Sequence, residues 1–158
     1  MRLNLFGFIL AVALVAVVST AREAMPQGMS FQQAPITLVT ESGRYNFVVD
    51  VATNVSQADF GLKYRHEIPP DGGMLILLQQ SAPSTLTVTT DGVSLPMDLM
   101  FIAGNGMIME VHTCIPTDST TPWVSNSPVS GALEVACGTI QRLGILAGDT
   151  VLGAGFGG

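Results

Sequence analysis

Positive charge is scarce in this chain: six Lys and Arg stand among 158 residues against twelve Asp and Glu, giving a net charge of −6. The six are dispersed, so no basic patch can neutralise a phosphate backbone, and nucleic acid is excluded from the expected partners. Charged residues make up only 11% of the chain against 47% hydrophobic, which excludes charged disorder and coiled coil. Histidine occurs twice (His66, His112) and cysteine twice (Cys114, Cys137). No C-x-x-C or H-x-x-H spacing appears, and neither histidine sits in a recognisable nucleophile or metal context. No catalytic residues, cofactor or metal are expected.

What is present begins with export. Arg2 precedes fourteen uninterrupted apolar residues, Leu5 to Val18, followed by the small residues Ser19, Thr20 and Ala21. This is the layout of a secretory signal peptide over residues 1–21, with cleavage expected after Ala21. The alternative is an uncleaved anchor, since Leu3 to Ala21 would form a helix about 28 Å long, close to the thickness of a hydrocarbon core. Either reading places the body outside the cytoplasm, in the periplasm or secreted, and the second adds membrane association through residues 3–21. Cleavage removes only Arg2 among the charges and leaves a more acidic body. Residues 22–34, with Pro, Gly, Gln and Ser but no sustained period, read as a flexible tether without regular structure. The folded domain is expected over 35–156, starting near Pro35.

The body reads as a series of short strands. Ile36 to Thr40 and Tyr45 to Ala52 flank a turn, with Tyr45, Phe47, Val49 and Val51 on one face. A helix over Gln57 to Tyr64, capped by Asn54 or Ser56, should lay Phe60 and Leu62 on the sheet. Further strands are expected at Met74 to Leu78, Thr85 to Thr90, Asp98 to Ala103, Met107 to Cys114, Ala132 to Ala136 and Thr150 to Leu152, with a helical turn at Thr139 to Leu143. In the Met107 to Cys114 strand, alternation puts Met107, Met109 and Val111 inward and Glu110, His112 and Cys114 outward. Ile115 to Pro128, which carries the only Trp, Trp123, reads as a loop. The fold class is therefore mainly β, a small barrel-like or rolled antiparallel sheet with one or two short helices and no βαβ unit. Leu75, Leu77, Phe101, Val111 and Val135 are assigned to its core.

Six landmarks occur in order: Gly61-Leu62-Lys63-Tyr64-Arg65, Gly73-Met74-Leu75, Pro96 to Ile102, Leu133 to Gly138, Arg142 to Ile145, and Gly148-Asp149. In that order and spacing, from about Ile36 to Phe156, the chain resembles the bacterial domain of unknown function 192 family. The resemblance implies a compact strand-rich domain, commonly behind an export signal, with no established catalytic activity. One stretch departs from it. Where family members usually carry an aromatic-Trp-Met-Lys-Asn-Thr segment, this chain has Val88-Thr89-Thr90-Asp91-Gly92-Val93. A ligand pocket shaped by that stretch in relatives would be lost here or changed in specificity.

Several constellations compete for a chemical role. The tail Gly153 to Gly158 spells G-x-G-x-x-G, yet no helix follows to complete a phosphate site. His112 and Cys114 at i, i+2, with Cys137 and five body methionines, form a weak metal pattern that core packing explains better. Cys114 and Cys137 either form a disulfide or stay separate. A direct antiparallel pairing of their strands would set Cys114 beside Ser130, away from Cys137. Asp98 and Glu134 could serve as an acid and base pair if they share a cleft. Charges in such apolar surroundings are costly unless paired, so Arg65 is expected to bond Asp98 or Glu134 in a polar binding cluster at a barrel mouth. The function expected from all this is a noncatalytic extracytoplasmic binding module for a small molecule or a protein partner. The alternatives are a membrane-anchored accessory subunit and, third, an acid/base enzyme.

Overall fold

The computed structural model describes residues 29–77 and 82–157; the export segment 1–21 and most of the 22–34 tether lie outside the described residues. In chain order come β1 (Gln32–Thr40), β2 (Gly43–Ala52), α1 (Val55–Phe60), β3 (Gly72–Ile76), β4 (Thr87–Val88) and β5 (Met97–Ile102). They are followed by β6 (Ile108–Ile115), β7 (Trp123–Val124), β8 (Gly131–Ala136), α2 (Thr139–Leu143) and β9 (Thr150–Leu152). Seven strands form one curled half-barrel sheet in the order β6-β5-β8-β3-β2-β1-β9, and β4 and β7 form a separate two-stranded ribbon. The sheet's edge strands approach each other at one end, where Met107 bridges Thr150 and the Val151 N–H donates to the Gly106 carbonyl. The fold is mainly β, as the strand series implies.

Alternation splits the side chains into two cores. All seven sheet strands contribute to the first, which holds Ile36, Leu38, Val49, Leu75, Met100, Ile108, Leu133, Val135 and Val151 and is closed by Ile140 and Leu143 of α2. The second lies on the other face, where Met74, Ile76, Leu99, Phe101 and Ala132 meet Leu62, Leu86, Val88 and Val93. Leu75, Phe101 and Val135 are buried, and Leu77 and Val111 pack at the margin of the first core. Side chains thus fill the inside of the curl.

Four expectations are corrected. β1 starts at Gln32, so residues 32–34 belong to the sheet and not to the tether. Pro35 is inside β1: it pairs with Val48 on one side while β9 joins β1 only from Thr37, and Pro is tolerated where a strand edge needs no N–H. Second, β2 and β3 pair in parallel, so one βαβ crossover interrupts the antiparallel pattern. The segment between them is long enough for such a crossover and contains α1. Third, α1 spans Val55–Phe60, not Gln57 to Tyr64. Asn54 caps it by accepting from the Gln57 N–H at 2.9 Å, while Gln57 reaches back to the Thr53 N–H, and Gly61 at φ 46° ends it. Fourth, the 115–128 loop contains β7, and only Thr87–Val88 of the expected 85–90 strand is regular.

The cysteines are bridged, with a Cα–Cα distance of 4.7 Å. The direct pairing of β6 with β8 does not occur. β5 lies between them and pairs antiparallel with both, so β6 and β8 run the same way and end together beside Met97, which opposes Ile115 and Ala136. A bulge in β6 opposite Asp98, with Cys114 at φ 43°, turns the chain toward Cys137. The bridge closes a loop of sequence separation 23. Replacing both cysteines by Ser is expected to lower stability by about 3 kcal/mol through the regained freedom of the unfolded chain, measured by urea unfolding.

Candidate functional site

The pairing registers place five residues in one row across the second face. His112 of β6 opposes Leu99 of β5, Leu99 opposes Glu134 of β8, Glu134 opposes Met74 of β3, and Met74 opposes Asp50 of β2. Paired residues share a face, so an apolar sheet surface carries three titratable groups, about 10 Å apart at two strand spacings each. The fold treats the three differently.

Glu134 is 5% exposed, and among the described residues no hydrogen bond or ion pair reaches its carboxylate. Burial pushes its pKa up to about 7. The side chain lines a cleft of about 250 Å³. One wall is α1 and the turn after it, from Ala58 to Lys63; the other is Leu86 to Thr89 with Val93. Asp59 and Thr89 are exposed and Lys63 is half-buried at this lining. The backbone is tight beneath: a Cβ on Gly73 would strike the Glu134 carbonyl, so glycine lets β3 and β8 close under the carboxylate. Val88, Thr89 and Val93 belong to the stretch that departs from the family pattern, and they form part of this cleft. A second depression of about 630 Å³, lined by Pro35, Arg44, Asn46 and Asp71 among others, holds no buried charge.

Asp50, 8% exposed, is neutralised inside the fold by Arg65 through an ion pair and hydrogen bond. Arg65 is therefore in a polar cluster, but with Asp50 and not with Asp98 or Glu134. The sequence could not supply this partner, because Asp50 comes within reach of the crossover only when β2 pairs in parallel with β3.

Asp98 lies on the opposite face from Glu134, since it opposes Val135 while Glu134 opposes Leu99. The two carboxylates share no cleft, which removes the acid and base pair. Asp98 is fully buried and spent on backbone: one oxygen accepts the Cys114 N–H and the other the Ile140 N–H, both at 2.8 Å. The N-cap position of α2 is Gly138, which has no side chain to cap the helix, and Asp98 accepts the Ile140 N–H from a distant strand.

His112 does not share a face with Cys114 as alternation suggested, because the bulge intervenes. Its ring stands edge-on to Phe101 at 5.9 Å and 4.8 Å from Trp123. Its Nε2 is buried without a hydrogen bond, 3.6 Å from a Glu110 oxygen. Glu110 itself accepts from the Asn126 backbone and side chain. The ligand atoms of Asp98, Cys114 and Cys137 lie within 4.8 Å of one another, but both sulfurs are used in the disulfide. The weak His112, Cys114 and Cys137 pattern in the sequence is not brought together as a ligand set among the described residues, since both cysteines are in the disulfide. Met74, Met97 and Met100 are core residues, whereas Met107 is 38% exposed, contrary to its inward assignment.

The model of the DUF192 family, described as "Uncharacterized ACR", matches residues 37–153. The chain belongs to the DUF192 family. Two solved structures carry the fold. One is from Sinorhizobium meliloti 1021, named provisionally as a transcription regulator: 33% identity, 81% of this chain and 98% of that chain covered, TM-score 0.76. The other is a protein of unknown function from Novosphingobium aromaticivorans DSM 12444: 27% identity, 82% and 91% covered, TM-score 0.74. No curated protein matches. For DUF192, then, the likeness identifies the half-barrel and leaves the chemistry to be argued from the site. No helix among the described residues is long and apolar enough to cross a membrane.

Proposed function

We propose that this DUF192 chain is a noncatalytic extracytoplasmic module that binds a small molecule in the cleft between α1 and the 86–93 segment. The supporting observation is Glu134, a buried carboxylate without a partner among the described residues, set in a cleft of about 250 Å³ with both apolar and polar walls. A fold that keeps a desolvated, unpaired acid sacrifices stability at that position, and such sacrifices concentrate at binding sites. The other buried carboxylates have structural partners: Asp50 has Arg65, and Asp98 has two backbone N–H groups. The apolar segment of residues 5–18 supports an extracytoplasmic setting. Six dispersed basic residues against twelve acidic ones supply no phosphate-binding patch, which speaks against a role on nucleic acid.

The test is methyl-detected NMR of the purified protein with a panel of amines, alcohols and carboxylates of four to eight carbons. Shifts are expected at Leu62, Leu86, Val88 and Val93. They should disappear in Thr89→Trp, where an exposed lining residue is enlarged to fill the cleft without touching the core. A panel that leaves these methyls unmoved contradicts the reading. The accessory-subunit alternative rests on the length of the apolar run, and mass spectrometry showing a mature N-terminus at Arg22 removes its anchor.

A further inference from the structure

We propose that the Glu134 cleft selects a compact hydrophobic amine, whose ammonium group meets the Glu134 carboxylate and whose apolar body lies between α1 and the 86–93 segment. This rests on the binding-module reading and adds the ligand's chemical class.

Three observations carry it. First, the row across the sheet contains two buried carboxylates of contrasting supply: Asp50 is given a guanidinium by the chain's own Arg65, and no chain cation forms an ion pair with Glu134 among the described residues. A cation is the complement that this position lacks from within. Second, the lining sets Phe60, Leu62, Ile76, Leu86, Val88 and Val93 beside one buried acid, Glu134, while the other charged groups at the cleft, Asp59 and Lys63, are exposed and half-buried. That combination suits an alkyl or aryl body ending in one charged donor, and the volume limits it to a compact one. Third, the carboxylate is desolvated by the fold itself, so an arriving ammonium meets a partner in low dielectric without having to strip that partner of water.

The charged groups around the cleft sharpen the prediction. Asp59 of α1 and Lys63 just beyond it lie at the lining with opposite signs, and the Lys63 stem runs over Gly92. The Asp50–Arg65 pair is two strands away on one side, and His112 with Glu110 is on the other. Glu134 is the one of these groups that is both at the cleft and buried. Its proton at neutral pH must leave when the ammonium binds: carboxylic acid plus ammonium ion gives a carboxylate–ammonium pair, and one proton passes to the buffer.

The experiment is calorimetric titration of the purified protein with benzylamine and its neutral counterpart benzyl alcohol, at pH 6, 7 and 8, in two buffers of different ionisation enthalpy. Benzylamine binding is expected to release about 0.9 proton at pH 6 and about half a proton at pH 7, with affinity rising up to about tenfold per unit below pH 7 and levelling above it. At pH 8 benzylamine should bind at least about tenfold more tightly than benzyl alcohol. Glu134→Gln should erase that preference and the proton release. Thr89→Trp should block both probes. Equal affinities for the two probes in the native protein, or benzylamine binding untouched by Glu134→Gln, overturn the amine inference. Benzyl alcohol binding that Thr89→Trp blocks, without an amine preference, overturns the ligand class and leaves the binding module standing. Binding of neither probe also overturns the amine class, and the wider panel then decides the binding module itself.

Discussion

Phe101→Ala is expected to lower the unfolding free energy by about 3–5 kcal/mol, the range for deleting a fully buried aromatic from a site that collapses poorly. Phe101 has no exposed surface. It sits on β5, which is hydrogen-bonded to β6 on one side and β8 on the other, so the backbone around it cannot move in. Its neighbour across β8 is Ala132, too small to refill the space, and its ring also braces the edge of His112. Urea unfolding should show a lower midpoint with an unchanged slope. A loss under about 1 kcal/mol would place Phe101 outside the core.

Asp98→Asn is expected to cost roughly 3–4 kcal/mol, from two charge-assisted backbone hydrogen bonds worth about 1.5–3 kcal/mol each, of which the amide preserves one in weaker form. The change is nearly isosteric, so packing is not the cause. One carboxylate oxygen holds the bulge at Cys114 and the other caps α2 at Ile140. An Asn side chain offers one acceptor oxygen and turns an NH₂ toward the remaining N–H, two donors facing each other at a fully buried site. Asp91→Asn is the control: Asp91 is exposed, and its loss should stay within about 0.5 kcal/mol. Equal costs for the two variants would show that the Asp98 bonds carry no special weight.

How far the sequence is legible depends on the range of the interaction. α2 at Thr139–Leu143 and β9 at Thr150–Leu152 are read directly, because local composition and turn residues decide them. The Asn54-x-x-Gln57 spacing likewise announces the start of α1, while its early stop at Gly61 depends on a left-handed glycine that composition alone does not position. Strand adjacency is a different matter. Nothing local states that β2 and β3 run parallel or that β5 enters between β6 and β8, and the partner of Arg65 and the approach of the two cysteines follow from these pairings.

Asp98, Glu134 and Arg65 are each legible as unusual charges in apolar surroundings, and each does have an unusual environment. Their partners are not legible. Asp98 and Glu134 separate because a one-residue offset in register puts them on opposite faces. Arg65 finds Asp50 through the parallel crossover. His112 leaves the face of Cys114 because a bulge breaks the alternation on which the inward and outward assignment relied.

Glu134 is a desolvated acid facing the cleft without an ion-pair or hydrogen-bond partner among the described residues. Its folded pKa is about 7 against 4.5 for an ordinary Glu side chain, so between these values the folded state holds more protons than the unfolded state. Stability therefore falls as pH rises from about 4.5 to about 7 on account of this group, and levels above. The most direct measurement is the carbon-13 chemical shift of the Glu134 side-chain carboxyl, followed by NMR in the purified protein from pH 4 to pH 9. The account predicts a midpoint near 7 that moves down when benzylamine is added. A midpoint near 4.5 in the free protein would mean that the carboxylate is solvated or paired, and would contradict it.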